Sequence, residues 1–200
     1  IYFFVTVADN GKRMQISELM DLNAPTVHQF VSHQVIEQDT INLLNSGQQW
    51  LGAPMGLGLG KTAQMNFPLY FTNVVQGGAM HFNGTYLASS YGMDGVFTLS
   101  VNSTPVRTIH IPAVSGMLYD ATAKLAIDSF DISTSYLNAS NQLNITFTGS
   151  SNSTGWLDNI DIAAPVDLNF NNKNAFYFER VEASATNAHL NFQIQNADAS

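Results

Sequence analysis

The chain has 200 residues, 45% of them hydrophobic, which is enough for a sizeable core in one large or two small domains. Only 11% of the residues are charged and the formal net charge is −8, with 7 Lys and Arg scattered along the chain, which excludes a basic stripe for nucleic-acid phosphates or an anionic membrane surface. The absence of cysteine excludes disulfides and thiolate chemistry within these residues, and no apolar run reaches the ~18 residues of a membrane-spanning helix.

Residues 1–36 predict a β-hairpin followed by an irregular stretch. Asp9-Asn10-Gly11 supplies the positive-φ turn between apolar Phe3–Val7 and the shorter return strand Met14–Ile16. The rest of the segment has no clean period, and Pro25 interrupts it. Because the chain starts inside a strand-like run and ends in linker-like residues, we expect a piece of a longer protein, with this segment belonging to a preceding β domain and any targeting signal outside it.

Residues 37–61 predict a linker that contains one short helix. Asp39 fits the N-cap of this helix, and Gly47 fits the position after its last turn. Three residues between them form one apolar face: Ile41, Leu43 and Leu44. The predicted helix is about two turns long.

The linker ends in a glycine-rich loop, Gly56-Leu57-Gly58-Leu59-Gly60-Lys61-Thr62. This run is similar to a phosphate-binding loop, but that motif requires Gly, four residues and then Gly-Lys-Ser/Thr, so Gly56 is one residue too close. Neither flank predicts the buried parallel strand and the helix that must enclose such a loop. We therefore predict a flexible loop with no cofactor-binding residues.

From Thr62 onward the apolar residues recur with a period of two. The predicted strands are 65–75, 80–89, 97–101, 106–111, 118–132, 143–147, 155–163, 175–181 and 190–194. About nine short strands without helices between them predict an all-β antiparallel sandwich over residues 62–170. Long connections suit strands that change sheets, so a jelly roll is the preferred version. Residues 171–200 are expected to supply closing strands and a linker towards a further domain.

The titratable residues do not form a recognisable active site. The histidines are His28, His33, His81, His110 and His189, and we predict solvated surface residues without a bound metal. Asp158 and Asp161 lie three apart in a strand, so they are expected on opposite faces. Glu37 and Asp39 could meet, but nothing nearby supplies a base or an oxyanion donor. We predict no catalytic, metal-binding or cofactor-binding residue in this chain.

Two stretches resemble a known family. Glu37–Gly52 (EQDTINLLNSGQQWLG) is similar to the E-x-D-x-x-N-L-L-x-S-G-R-E-W-x-G-E segment of the PorU-like sortases of type IX secretion in Bacteroidota. Gly155–Ile162 (GWLDNIDI) resembles the start of the G-x-L-D-Y-I-x-V-N-x-x-R-x-L strand of the same family. The chain departs from the pattern at Gln48-Gln49, at Ala53 and at Pro165-Val166-Asp167, where the family tends to have Arg-Glu, Glu and an Arg.

The resemblance implies a β region that precedes a gingipain-type cysteine peptidase domain with a Cys–His dyad. In that family the peptidase domain removes the C-terminal signal of secreted cargo and links the cargo to a surface lipopolysaccharide, outside the cytoplasm at the outer membrane or cell surface of a diderm bacterium. The dyad has no counterpart among these residues. The chain would then be a non-catalytic docking domain for the cargo's β domain, an outer-membrane partner or the parent's own peptidase domain.

Two alternatives remain open at this point. A carbohydrate-binding jelly roll would use exposed coplanar aromatic residues, and the candidates are Trp50, Trp156, Tyr70, Tyr86, Tyr91, Tyr119 and Tyr136. Burial of both Trp50 and Trp156 would count heavily against this alternative. A purely structural or adhesion module would need neither a pocket nor a polar cluster, and it depends on fold class alone.

Overall fold

The computed structural model describes residues 24–43, 50–117, 119, 121–170 and 190–196. The strands in these ranges are β1 (Thr26–Val27), β2 (Gln29–Glu37), β3 (Gln64–Leu69), β4 (Ala79–Ser89), β5 (Gly95–Val101), β6 (Thr104–Ile111), β7 (Lys124–Ser133), β8 (Asn141–Thr148), β9 (Thr154–Asp167) and β10 (Asn191–Phe192). One 3-10 turn, Thr134–Tyr136, follows β7.

Eight of these strands form two sheets that pack face to face. The first sheet has the order β2-β9-β4-β7, and the second has the order β3-β8-β5-β6. All pairings within both sheets are antiparallel. The pairs β5–β6, β4–β7, β3–β8 and β2–β9 are nested inside one another, which is the topology of a long hairpin rolled into a jelly roll. The predicted all-β sandwich with a jelly-roll topology is confirmed.

The innermost hairpin, β5–β6, closes through a two-residue turn. Asn102 and Ser103 have φ values of 50° and 69°, and two consecutive positive φ values match the right-handed twist of the flanking strands. The Asn102 side chain also donates to the Tyr136 carbonyl oxygen and to Asn141 Oδ1, both at 2.9 Å. The turn is therefore held to the neighbouring connection at this end of the sandwich.

The core lies between the two sheets and follows the predicted alternation. In β5, Phe97, Leu99 and Val101 are fully buried, while the residues between them point outward. The ring of Phe97 lies 5.3 Å from Tyr86 of the first sheet and 4.8 Å from Phe147 of the second, measured between ring centres. Tilted aromatic contacts of this kind add to the stabilisation from burial alone.

Polar side chains close both lateral edges of the sandwich. On one side Arg107 of β6 donates to both carboxylate oxygens of Asp128 on β7, at 2.8 and 2.6 Å. On the other side Gln34 of β2 donates to the Pro68 carbonyl oxygen at 2.8 Å and accepts from the Tyr70 N–H at 2.9 Å. At each edge, an inward-pointing polar side chain therefore forms hydrogen bonds with groups of the opposite sheet.

One segment differs from its prediction. Residues 29–36 were expected to be irregular and to precede the sandwich, yet they belong to edge strand β2, which pairs with β9 over its whole length. The alternation is hidden because Val31 and Val35 point outward and are exposed, whereas the polar Gln34 points inward. The apolar residues of this strand do not alternate with polar ones, so hydrophobic periodicity in the sequence could not predict it.

The helix predicted from Asp39 to Gly47 does not begin where expected. Ile41 instead forms an antiparallel β-bridge with Leu51, and their backbone groups exchange hydrogen bonds of 2.9 and 2.8 Å. Residues 44–49 lie outside the described residues, as do the predicted hairpin at 1–16 and the strand at 175–181. The predicted strand at 118–132 is shorter, since β7 starts at Lys124, and the one at 190–194 reduces to β10.

Replacing Gly155 by Ala is expected to lower the free energy of unfolding. A methyl group at this position would lie 2.5 Å from Cδ2 of Phe147 and 2.7 Å from Cζ of Phe97. Overpacking of this severity costs about 1–3 kcal/mol. Denaturant unfolding measures the loss, and Ala163→Val on the outward side of the same strand is the matched control. An equal change in both variants would contradict the role given to Gly155.

Stability is expected to fall at alkaline pH because of Tyr86. Burial raises the pKa of the Tyr86 phenol well above its usual range, the Asp128 carboxylate adds to the rise, and Arg107 opposes it. The contribution of this group is fully present below a pH of about 10, where an unfolded tyrosine starts to ionise, and it is lost as the pH rises further. Tyr86→Phe should flatten this decrease in unfolding midpoint, whereas Tyr70→Phe, at an exposed position, should leave it unchanged.

Candidate functional site

The outer face of the first sheet carries a cluster of hydrogen-bonded titratable side chains. His33 on β2 and His81 on β4 both lie opposite Ala163 of β9, one on each side. The small side chain of Ala163 therefore lies between the two histidines, which are at the same level of the sheet. Both histidines are about half exposed, as expected from the sequence.

Each histidine has a carboxylate partner. His81 Nδ1 lies 2.7 Å from Asp131 Oδ1, and His81 Nε2 lies 3.1 Å from the hydroxyl of Ser129. His33 Nδ1 lies 3.2 Å from Asp161 Oδ1. These partners are 50 and 128 residues away in the sequence, so no local signal could have revealed them. Only the strand order of the sheet brings them together.

The imidazole of His81 lies between the Ser129 hydroxyl and the Asp131 carboxylate, as the histidine does in a serine hydrolase triad. The surroundings, however, are those of an ordinary sheet surface. Acyl transfer also requires donors aimed at a developing oxyanion. His81 lies on β4, whose backbone pairs with β7 on one side and β9 on the other. The ladder therefore already uses the N–H groups around His81, and the cluster orients the imidazole on the outer face of the sheet.

The two aspartates of β9 occupy different environments. Asp161 faces outward and contacts His33. Leu157 and Asn159 pair with Tyr86 and Thr85, which leaves Asp158 as the inserted residue of a β-bulge. The plain alternation assumed for this strand does not continue through the bulge. In the part of the chain that the structure describes, no group of three or more His, Cys, Asp or Glu is arranged to hold a metal ion, and His189 lies outside that part.

The glycine-rich loop leads directly into β3, without the helix that a phosphate-binding loop requires. Gly56, Gly58 and Gly60 all have positive φ values. The Lys61 ammonium donates to the Ser153 carbonyl oxygen at 3.0 Å. The lysine therefore tethers this loop to the β8–β9 connection.

The two stretches that carry the family resemblance pack against each other. Glu37 at the end of β2 pairs with Asn159 of β9. The Gly52 N–H donates to the Leu157 carbonyl oxygen at 2.8 Å, and a methyl group at Gly52 would lie 2.9 Å from that oxygen. We call this contact of residues 37–43 and 50–55 with residues 155–159 the joint. The described ends of the first stretch therefore meet the second stretch, although more than a hundred residues separate the two in the chain.

A small apolar cluster on the outer side of the first sheet fills the joint. Leu51, Leu87 and Trp156 are buried together, and Leu43 and Ala123 pack against them. The Trp156 indole N–H has no hydrogen-bond partner among the described residues. Trp50, by contrast, is exposed, so the two tryptophans do not form a common platform.

The arrangement as a whole defines a jelly-roll β-sandwich with hydrogen-bonded histidine–aspartate pairs on the outer face of the first sheet. Among solved structures, the chain is similar to dimeric latent PorU from Porphyromonas gingivalis, with a TM-score of 0.56 and 17% identity over 77% of this chain. The chain spans 15% of the length of that PorU chain. At this identity the likeness shows a shared fold.

Two carbohydrate-binding modules are more distant. The module CBM36, solved with calcium and xylotriose, has a TM-score of 0.41 and 9% identity, covering 66% of this chain and 98% of that chain. A family 35 module from Clostridium thermocellum has a TM-score of 0.33 and 23% identity, covering 55% of this chain and 74% of that chain. Both scores are too low to support an inference about ligands.

No protein-family model matches the sequence, and no curated protein matches it significantly. Among the described residues, none of the helical segments has the length and apolar character needed to cross a bilayer.

Leu51→Ala is expected to loosen the joint. Leu51 is fully buried, and truncation of such a side chain costs about 2–5 kcal/mol. Trp50→Ala removes a larger side chain at the next position, but this one is exposed, so its cost should stay below about 1 kcal/mol. Chemical denaturation of both variants checks the difference. Equal losses would show that the joint does not depend on this cluster.

Proposed function

We propose that the chain is a non-catalytic docking domain of a PorU-like sortase of type IX secretion. The observation that carries the proposal is the joint, where both family-like stretches pack together within a fold shared with part of PorU. The domain would lie outside the cytoplasm, at the outer membrane or cell surface of a diderm bacterium. The peptidase activity of such a protein would belong to a gingipain-type domain beyond these residues.

The joint supports this role because backbone hydrogen bonds couple two distant segments of the chain. The segment around Leu51 covers the outer side of β9 and exchanges backbone hydrogen bonds with it through Gly52 and Met55. Rigid domains lose little conformational freedom on association, and a preorganised surface therefore binds more tightly than a flexible one. A β-sandwich held in this way can position a partner without contributing chemistry.

The outer face of the first sheet is the surface best suited to a protein partner. It presents exposed apolar residues at Val31, Val35 and Ile127, and the paired histidines His33 and His81 lie among them. Apolar positions surrounded by polar, hydrogen-bonding ones are typical of protein interfaces. The proposed partner is the β domain of secreted cargo, an outer-membrane protein or the parent's own peptidase domain.

Carbohydrate binding is a second candidate, favoured by the outer face of the second sheet. This face presents uncharged amides and hydroxyls, and Asn66 Oδ1 accepts from Gln64 Nε2 at 2.7 Å and from Asn144 Nδ2 at 2.6 Å. Preordered amides suit the hydroxyl groups of a neutral glycan. Trp156 is buried, however, so the pair of tryptophans considered above cannot form the stacking platform.

Calorimetry and pull-down with the three proposed partners test the docking function. Val35→Glu combined with Ile127→Glu should weaken binding at least tenfold, about 1.4 kcal/mol, because each places a charge at an apolar contact. Thr98→Glu combined with Thr146→Glu, on the outer face of the second sheet, is the matched control and should bind normally.

Absence of binding to all three partners would refute the docking proposal, as would an equal loss in both variants. Binding on a glycan array that is lost in Asn144→Ala but survives Val35→Glu would favour the carbohydrate candidate. A chain that binds neither proteins nor glycans would fit a structural or adhesion module.

A further inference from the structure

Four loops converge at one end of the sandwich. They are residues 55–63 before β3, 90–94 between β4 and β5, 112–117 with Tyr119 between β6 and β7, and 149–153 between β8 and β9. The strand register places these connections together, since Ser89 pairs with Thr154 and Gly95 pairs with Ile111. We call these loop residues the loop crown.

Buried hydrogen bonds hold the loop crown together. The Ser153 hydroxyl lies 2.7 Å from the Ser90 hydroxyl and 2.8 Å from the Ser150 hydroxyl, and Ser90 and Ser153 are almost completely buried. The Val114 N–H donates to the Ser90 carbonyl oxygen at 2.8 Å. With the Lys61 contact to Ser153, these bonds link all four loops into one platform.

Large apolar side chains project from this platform into solvent. They are Leu57, Leu59, Tyr91, Met93, Met117 and Tyr119. Leu59 is 105% exposed and Tyr119 is 97% exposed, so these side chains make almost no contact with their own chain. A group of exposed apolar side chains at one end of a domain marks an interaction site.

The described residues of the loop crown also carry little charge. Among its described residues only Lys61 and Asp94 are charged, and both are hydrogen-bonded to backbone groups, Asp94 Oδ1 accepting from the Ala113 N–H at 3.3 Å. Lys124, at the base of the crown, donates to the Ala113 carbonyl oxygen at 2.6 Å. The tips of the loops at 55–63, 90–94 and 149–153 can therefore leave water without stranding an unpaired charge. Lys61 and Lys124 donate to backbone carbonyl oxygens and do not face anionic headgroups.

The arrangement of the exposed side chains in the loop crown indicates which kind of surface it can bind. Leu57 and Leu59 alternate with glycines, and Met93 and Met117 project from two other loops. A rigid protein surface would need a separate pocket for each of these side chains, whereas fluid hydrocarbon accommodates them all at once. We propose that the loop crown inserts into the surface of a lipid bilayer with neutral, zwitterionic headgroups, with its tyrosines at headgroup level.

Vesicle flotation with phosphatidylcholine tests this proposal on the whole chain. The wild-type chain should float with the vesicles, and high salt should not release it, because the contact is apolar. Leu57→Ser combined with Leu59→Ser should lower the partition coefficient at least tenfold. The matched control, Val31→Ser combined with Val35→Ser on the outer face of the first sheet, should partition like wild type.

The depth of insertion provides a second readout. Leu59→Trp should be quenched by phosphatidylcholine brominated on its acyl chains, whereas Val35→Trp should not. Both positions are exposed, so neither substitution disturbs the core.

Three results would overturn the proposal. One is an absence of flotation, and another is an equal loss in the crown and control variants. The third is binding that requires anionic phosphatidylglycerol and disappears in salt. Loss of binding to a protein partner in the Leu57/Leu59 variant, without any vesicle binding, would make the crown a protein interface instead. Because flotation needs no protein partner, its outcome is independent of the docking function proposed above.

Discussion

The structure depends on the absence of a side chain at Gly155. Only a residue without Cβ allows β9 of the first sheet to approach the rings of Phe97 and Phe147 in the second. Those rings, together with Tyr86, form an aromatic cluster between the two sheets, near the end of the sandwich where β9 begins. At this end, the close approach of β9 to the second sheet depends on Gly155.

The same residue connects the core to both candidate surfaces. The backbone of Gly155 exchanges hydrogen bonds with Met55, which lies at the end of the joint and at the start of the loop crown. Trp156, the next residue, closes the apolar cluster of the joint on the opposite side of the sheet. Packing therefore explains why the stretch that resembles the family begins with Gly-Trp-Leu. The glycine and the leucine face the core between the sheets, and the tryptophan packs in the joint.

Much of the sandwich could be predicted because its central strands have one buried and one polar side. Strand β5 follows this rule over its whole length, as does β8 in its central part. Edge strand β2 was not predicted because Gln34, which donates to the Pro68 carbonyl oxygen of the opposite sheet, points inward while the valines of the strand point outward. The helix expected from Asp39 onward does not include Ile41 for a similar reason, since a bridge to Leu51 replaces a weak local preference at this position.

The candidate site was less accessible to prediction than the fold. Periodicity places His81 on the outward side of a strand, but it cannot reveal that Asp131 and Ser129 lie on the neighbouring strand at the right level. The loop crown had a partial signal, since Leu57 and Leu59 stand between glycines where a loop would normally be polar. What periodicity could not provide was the convergence of four loops at one end, because that depends on the nesting of the hairpins.

The geometry of a jelly roll makes the two proposed contacts compatible. The loop crown lies at the end of the strands, while the outer face of the first sheet runs along them, so the two surfaces are roughly perpendicular. A sandwich that touches a bilayer with its end leaves both sheet faces open to the side. The charged and uncharged parts are separated in the same way, with the His33–Asp161 and His81–Asp131 pairs on a face and the apolar tips at the end. A domain anchored by its loops could thus hold a protein partner beside the membrane without either contact displacing the other.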